Sequence, residues 1–182
     1  MADVNVSTAS SRLPGPESDR SGAGGPAFDL IELLFFAYRD FIGDADKLLA
    51  GIGFGRAHHR VLHFVNRHPG MRVADLLVIL KITKQSLGRV LRELVEDGYV
   101  VQKAGPADRR QRLLYLTSKG EALARDLAAL QTRRFVRALA ECGPDARDAA
   151  RRFLVAMIDP QAREEVERLI ARADHAGRNR TR

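Results

Sequence analysis

Large apolar residues are sparse over residues 1 to about 26, where Ser, Gly and Pro dominate (SSRLPGPESDRSGAGGP), and the texture changes at Phe28. A segment with so little to bury cannot offset its ordering entropy, so residues 1–26 read as a disordered tail. From there Phe28, Ile31, Leu34, Phe35, Tyr38, Ile42, Leu48 and Leu49 recur at near-helical spacing and predict a helix over 28–50, stopped by Gly51. Beyond the linker GIGFG, Val61, Leu62, Phe64 and Val65 mark a second helix from Arg56 to Arg67, ended by His68, Pro69 and Gly70. A short helix is expected from Val73 to Leu80, then a tight break at Lys81 and Ile82. Thr83 is placed to cap the next helix, Lys84 to Asp97, an effect worth ~1 kcal/mol.

Gly98 stops that helix, and the period then falls to two. Tyr99 to Lys103 and Arg112 to Thr117 read as strands of a hairpin joined by AGPADRRQ, with Gly105 and Pro106 as turn residues. Ser118 and Glu121 have the spacing of a capping box and open a long helix to about Glu141. A further helix is expected over 145–158. Asp159 followed by Pro160 starts a last one to about Ala173, and residues 175–182 read as a basic, frayed tail. The resulting fold class is mostly α. Residues 56–118 form a winged helix-turn-helix lobe within a domain spanning 27–174, flanked by the helices 28–50 and 118–173.

On the helix after Thr83, Leu87, Val90, Leu91, Leu94 and Val95 form one apolar face. The opposite face presents Gln85, Gly88, Arg89 and Arg92, with Lys84 beside its N-terminus. Arg can fork onto guanine and Gln onto adenine, while Lys suits phosphate. Gly88 lowers helix propensity by up to ~1 kcal/mol against Ala but leaves room for a groove wall. Such a face is equally the ordinary solvated side of a helix, and the hairpin shifts the balance. From Lys81 to Lys119 there are nine basic and four acidic residues, a net +5 out of the chain's +7. Charge so concentrated on one supersecondary unit is the footprint of a nucleic-acid surface. At the tip Asp108 is spaced to orient a guanidinium of Arg109 or Arg110, and Arg112 follows. A pre-oriented Arg there suits a narrow minor groove.

Composition closes off other classes. With 182 residues and 45% hydrophobic content the chain can bury a core. The longest apolar runs, Leu33 to Tyr38 and Phe153 to Ile158, have six residues, far short of the ~20 that cross a bilayer. No secretory h-region is visible at the N-terminus, and a single Cys gives no intramolecular disulfide framework, so a reducing cytoplasm is expected.

The run HPGMRVADLLVILKITKQSLGRVLRELVEDGYVVQKAGPADRRQRLLYLTSKGEAL, from His68, resembles the MarR-type winged-helix regulators. The D-R-R wing tip followed by L-T-x-x-G is its most specific part, and the resemblance extends over roughly residues 30–160. It implies that Lys84, Gln85, Ser86, Arg89 and Arg92 lie on the recognition helix and that Asp108 and Arg110 form the wing pair, with Arg110 entering the minor groove. It also implies a homodimer built by the helices 28–50 and 118–173, and a small-molecule effector held between those helices and the lobe. Three positions depart from the family pattern. Lys81 stands where the turn usually has Gly, Leu77 fills a position usually small, and Arg72 replaces a Ser or Thr cap. A left-handed conformation at Lys81 would cost ~1–2 kcal/mol.

Other candidate chemistry is thin. His59 and His63 are four apart and can share a helix face, as zinc ligands do. A zinc-responsive branch of the family adds ligands from the first and the long helix, and here 28–50 and 118–141 contain neither His nor Cys. No metal and no cofactor is assigned. Cys142 is a redox candidate beside Arg147 and Arg151, but the family's peroxide sensors carry their Cys on the first helix, which has none here. The glycines 51, 53 and 55 lack the spacing and preceding strand of a nucleotide loop, and no catalytic constellation stands out. The expectation is a non-enzymatic regulator, a repressor in the first instance, that binds double-stranded DNA as a homodimer. The competing reading is a non-specific architectural or protein-interaction module on the same scaffold.

Overall fold

A computed structural model describes residues 25–180, so the expected tail over 1–26 lies almost wholly outside the described residues. The elements are α1 (Phe28–Ala50), α2 (Arg56–Arg67), β1 (Met71–Arg72), α3 (Val73–Leu80), α4 (Lys84–Glu96), β2 (Val100–Ala104), β3 (Arg112–Leu116), α5 (Ser118–Cys142), α6 (Ala146–Ala156) and α7 (Pro160–Arg180). The antiparallel sheet has the order β1-β3-β2, with Met71 opposite Leu114 and Gln102 also opposite Leu114. This is a winged helix-turn-helix with long helices on either side of it in the chain.

Strand β1 was not expected, since two residues carry no readable period. It exists because Gly70, at φ 84°, turns the chain out of α2 and donates its N–H to Leu114 at 2.8 Å. That places Met71 in the core. The turn between α3 and α4 is as strained as its sequence implies, with Lys81 at φ 50°, ψ 42°, the one left-handed non-glycine residue described.

The core joins both arms of the helix-turn-helix to the wing and to α5. Val61, Leu62 and Val65 of α2, Leu76 of α3, and Leu87, Val90, Leu91 and Leu94 of α4 pack with Val100, Leu114 and Leu127. Val95, expected in that face, is instead 38% exposed, because it lies at the edge of the apolar arc. Ala45 and Leu49 bring the end of α1 into the same core. The first half of α1 stays outside it: Phe28, Ile31, Leu34, Phe35 and Tyr38 are all exposed.

The junction of wing and α5 corrects one expectation. The cap of α5 is Thr117, not Ser118, which is already the first helical residue. Thr117 Oγ1 accepts the Gly120 N–H at 3.1 Å and donates to the Gly98 carbonyl at 2.7 Å. One hydroxyl thus closes the helix start and ties it to the far end of β2. Gly120 completes the joint, since a Cβ there would lie 2.1 Å from the Tyr99 carbonyl oxygen. Thr117 and Gly120 are the T and G of the L-T-x-x-G motif, so that motif is a weld between wing and α5.

A second correction concerns the C-terminus. Helix α7 continues to Arg180 instead of fraying after Ala173. Glu164 pairs with Arg168 one turn on, Asp174 pairs with Arg67 of α2, and Arg178 places positive charge in the last turn, where the macrodipole favours it. Arg163 donates to the carbonyls of Ala156 and Ile158 at 2.6 and 2.9 Å and so closes the corner between α6 and α7.

Gly120→Ala is expected to destabilise the protein by ~1–3 kcal/mol, as overpacking against backbone does. Lys81→Gly should stabilise it by about 1 kcal/mol through relief of the left-handed strain. Urea denaturation of the two variants against the parent checks both signs.

Candidate nucleic-acid interface

Helix α4 is set by its cap and by its buried stripe. Thr83 Oγ1 accepts the Ser86 N–H at 3.1 Å and donates to Ser86 Oγ at 2.9 Å. With Leu87, Val90, Leu91 and Leu94 buried, helical geometry turns Lys84, Gln85, Ser86, Gly88, Arg89 and Arg92 outward, and all six are exposed. Gln85, Ser86, Arg89 and Arg92 bound a shallow concavity floored by Gly88. A Cβ at Gly88 would meet nothing within 4 Å, so packing within the protein does not demand glycine there.

Among the described residues Lys84 and Arg92 make no ion pair, and Arg89 has only a long one, Nε to Glu93 Oε1 at 3.9 Å. Uncompensated cations on a face with donors and acceptors at its centre can take up a polyanion at little cost in broken contacts. The wing tip has the same character. Arg109, Arg110 and Arg112 are exposed and unpaired among the described residues.

Asp108 does not orient a guanidinium, as its spacing suggested. Its Oδ1 accepts the backbone N–H of Arg110 at 2.9 Å, the preferred use of an Asp side chain two residues ahead in a tight turn. The tip is further held by Gly105 N–H to Gln111 O and Gln111 N–H to Asp108 O, both 3.0 Å. Gly105 is required, since its Cβ would lie 2.8 Å from the Asp108 carbonyl oxygen. What the turn fixes is the backbone that carries Arg109 and Arg110, and their side chains remain free.

Some charge in the same unit is committed elsewhere. Lys103 lies over the Tyr115 ring at 5.0 Å, and Lys119 lies over Tyr99 at 4.1 Å while donating to the Asp97 carbonyl. Arg72, out of place as a cap by its side chain, replaces that role in another way. Its backbone N–H donates to Asp75 Oδ2 at 2.9 Å and its guanidinium grips the same carboxylate, which holds the Asp75 carboxyl below the usual range.

Sequence reasoning passed over His58 and Glu93. His58 is buried, stacks on Phe54 with centroids 4.4 Å apart, accepts the Gly55 N–H at Nδ1 (3.1 Å) and meets Glu93 Oε2 at 2.7 Å through Nε2. The available signal was its place at the third position of α2, from which a side chain can reach back to the cap.

His59 and His63 share one face of α2, as their spacing implied, and line a cleft of about 220 Å³ between α1, α2 and α5 with Tyr38, Phe41, Phe64 and Gln131. Burial lowers the pKa of both imidazoles; at His59 the Asp46 carboxylate works against this, while at His63 the neighbouring His59, Arg67 and His68 add to it. Among the described residues no group of three or more His, Cys, Asp or Glu gathers as it would around a metal ion. Cys142 is exposed at the end of α5. No described helix is long and apolar enough to cross a membrane.

The sequence profile of the MarR family matches residues 52–111, from the α1–α2 linker to the wing tip. The chain is 47% identical over 139 residues to the HTH-type transcriptional regulator PetP of Rhodobacter capsulatus, covering 76% of this chain and 84% of that protein. The chain belongs to the MarR family of transcriptional regulators. A second relative, a putative transcriptional regulatory protein for the hcr operon of Thauera aromatica, is 30% identical over 106 residues, 58% of this chain and 62% of that one. The crystal structure of MarR superposes with a TM-score of 0.60 at 23% identity, covering 80% of this chain and 97% of that one. A Mycobacterium tuberculosis MarR family protein in complex with salicylic acid superposes at 0.53 and 24% identity, covering 75% and 98%. These likenesses establish the fold, and the profile-matched segment includes the exposed Lys84, Arg92, Arg109 and Arg110.

Gly88→Ala is expected to stabilise the unbound protein by up to ~1 kcal/mol, measured by urea denaturation, because the added methyl meets nothing and improves helix propensity. The depressed His59 and His63 set a pH dependence. As pH falls through 6.5 the unfolded chain takes up protons before the folded one, so stability is lost on acidification below that value. His63→Gln should flatten this slope between pH 7 and 5, followed by thermal melts.

Proposed function

We propose that the protein binds a pseudo-palindromic operator as a homodimer and represses transcription from it, acting in the cytoplasm. Each α4 enters a major groove and each wing tip an adjacent minor groove, with half-sites about one helical turn, ~10 bp, apart. The observation that carries this reading is the outward face of α4, with Gln85, Arg89 and Arg92 around Gly88, next in the chain to a wing whose arginine side chains are unpaired among the described residues. In this reading Lys84, Ser86 and Arg112 contact phosphate, Gln85, Arg89 and Arg92 read base edges, and Arg110, with Arg109 beside it, occupies the minor groove.

The dimer is supported by the exposed first half of α1, with Phe28, Leu33, Phe35 and Phe36 each more than half exposed, and by Phe135, Val136, Phe153 and Met157 on α5 and α6 and at the turn after α6. Apolar surface on that scale marks an interaction face. The cleft at His59 and His63, walled by Tyr38, Phe41 and Phe64 and bordered by Arg56 and Arg60, suits a small aromatic anion as effector. The salicylic acid complex of the mycobacterial relative supports that ligand class.

Fluorescence anisotropy with the protein's own promoter fragments and with random duplex tests the DNA reading. A preference of at least ~10³ for one fragment is expected, with a dimer mass by light scattering. Arg110→Ala should weaken operator binding by roughly 1–3 kcal/mol and reduce the salt slope by about one. Equal affinity for all duplexes would instead favour a non-specific architectural module.

A further inference from the structure

The buried imidazole of His58 connects the linker between α1 and α2 to Glu93 of α4. Phe54, in the linker after α1, is buried against both His58 and Tyr99. His58 Nδ1 accepts the Gly55 N–H, so the hydrogen on this ring lies on Nε2, where it donates to Glu93 Oε2 at 2.7 Å. Each ring nitrogen has one partner, and the ring face is stacked 3° from parallel on Phe54. This imidazole has no freedom left, and it holds one oxygen of Glu93.

Glu93 follows Arg89 by one helical turn, the spacing at which a carboxylate and a guanidinium readily close on one another. Here they do not: the nearest approach is 3.9 Å, to Oε1 alone, and Arg89 remains 72% exposed. With Oε2 occupied by the imidazole, the carboxylate cannot swing out to engage Arg89 in a forked pair. It cannot swing out toward the path of phosphates either, where its charge would repel them.

We infer that His58 is a positioning residue for DNA recognition: by anchoring Glu93 it leaves the Arg89 guanidinium available for a base edge. This rests on the operator-binding reading above. Without the anchor the freed carboxylate captures Arg89, and the chain loses discrimination more than it loses general affinity for duplex.

The test compares operator and random-duplex affinities by anisotropy for the parent, His58→Phe, His58→Asn, and each combined with Glu93→Gln, with melting temperatures recorded throughout. Phe keeps the stack on Phe54. Asn keeps an acceptor for the Gly55 N–H but cannot reach Glu93, and it serves where the Phe variant does not fold. The operator preference of the His58 variants should fall about tenfold, the scale of one forked base contact, while random-duplex affinity changes little. Adding Glu93→Gln should restore most of the preference, because the amide has no charge with which to capture Arg89. Nitrogen NMR of the parent should show the ring hydrogen of His58 on Nε2. Loss of operator and random binding in parallel, unrelieved by Glu93→Gln, would mean that His58 only supports the fold and would overturn the inference. An unchanged preference in a folded His58 variant would overturn it too. A parent that shows no operator preference would defeat the operator reading itself, and this inference with it.

Discussion

Burial of the apolar stripe of α4 is the constraint from which the rest of the lobe follows. Leu87, Val90, Leu91 and Leu94 reach the core shared by α2, α3, β2, β3 and α5, and four well-buried aliphatic side chains on one helix fix its rotation about its own axis. A helix so fixed has no choice over what its other side presents. Lys84, Gln85, Ser86, Arg89 and Arg92 face out because of what Leu87 and Leu91 do, so the hydrophobic effect, which has no direction of its own, yields a directional chemical surface.

The wing extends the same logic with backbone bonds. Thr117, Gly120 and the Tyr99 carbonyl join β2, β3 and α5 so closely that no side chain fits between them. At the far end of the hairpin Gly105, Asp108 and Gln111 close the tip by main-chain bonds and one carboxylate. The hairpin is held at both ends, and the arginine side chains at its tip are exposed and unpaired among the described residues. In the proposed operator complex, such an arrangement would let long cations adapt to a polymer whose groove width varies with sequence.

Much of this was legible in the sequence, for identifiable reasons. The helices α1 to α4 were readable because their stripes are long or their stops are Gly and Pro. The Thr83 cap was readable because a hydroxyl before a polar-apolar periodic run has few other uses. The strain at Lys81 followed from the absence of Gly in a tight turn. What escaped was what depends on the third dimension. Thr117 and Ser118 are adjacent hydroxyls with equal local claims to the cap, and only the carbonyls of Gly98 and Tyr99, some eighteen residues earlier, decide between them. Two residues make β1, and only pairing with Leu113 and Leu114 reveals them. Asp108 was rightly placed at the tip but given the wrong partner, since spacing does not distinguish a guanidinium from the main chain beside it. The length of α7 was missed because Asp174 meets Arg67, more than a hundred residues away. His58 was passed over, because its bond to Glu93 joins two helices whose separation along the chain hides it.

The anchoring of α7 has a mechanical meaning for the whole chain. Arg163 clasps the corner with α6 at one end, and toward the other Asp174 grips Arg67 beside the buried Ala173. The helix therefore runs from the α6 corner to the end of α2, inside the winged-helix lobe. Its lower fastening is half in water, and a bond of that kind contributes only about 0–1 kcal/mol and weakens as salt rises. What ties the far part of α7 to the lobe is thus an ion pair that loosens as ionic strength rises.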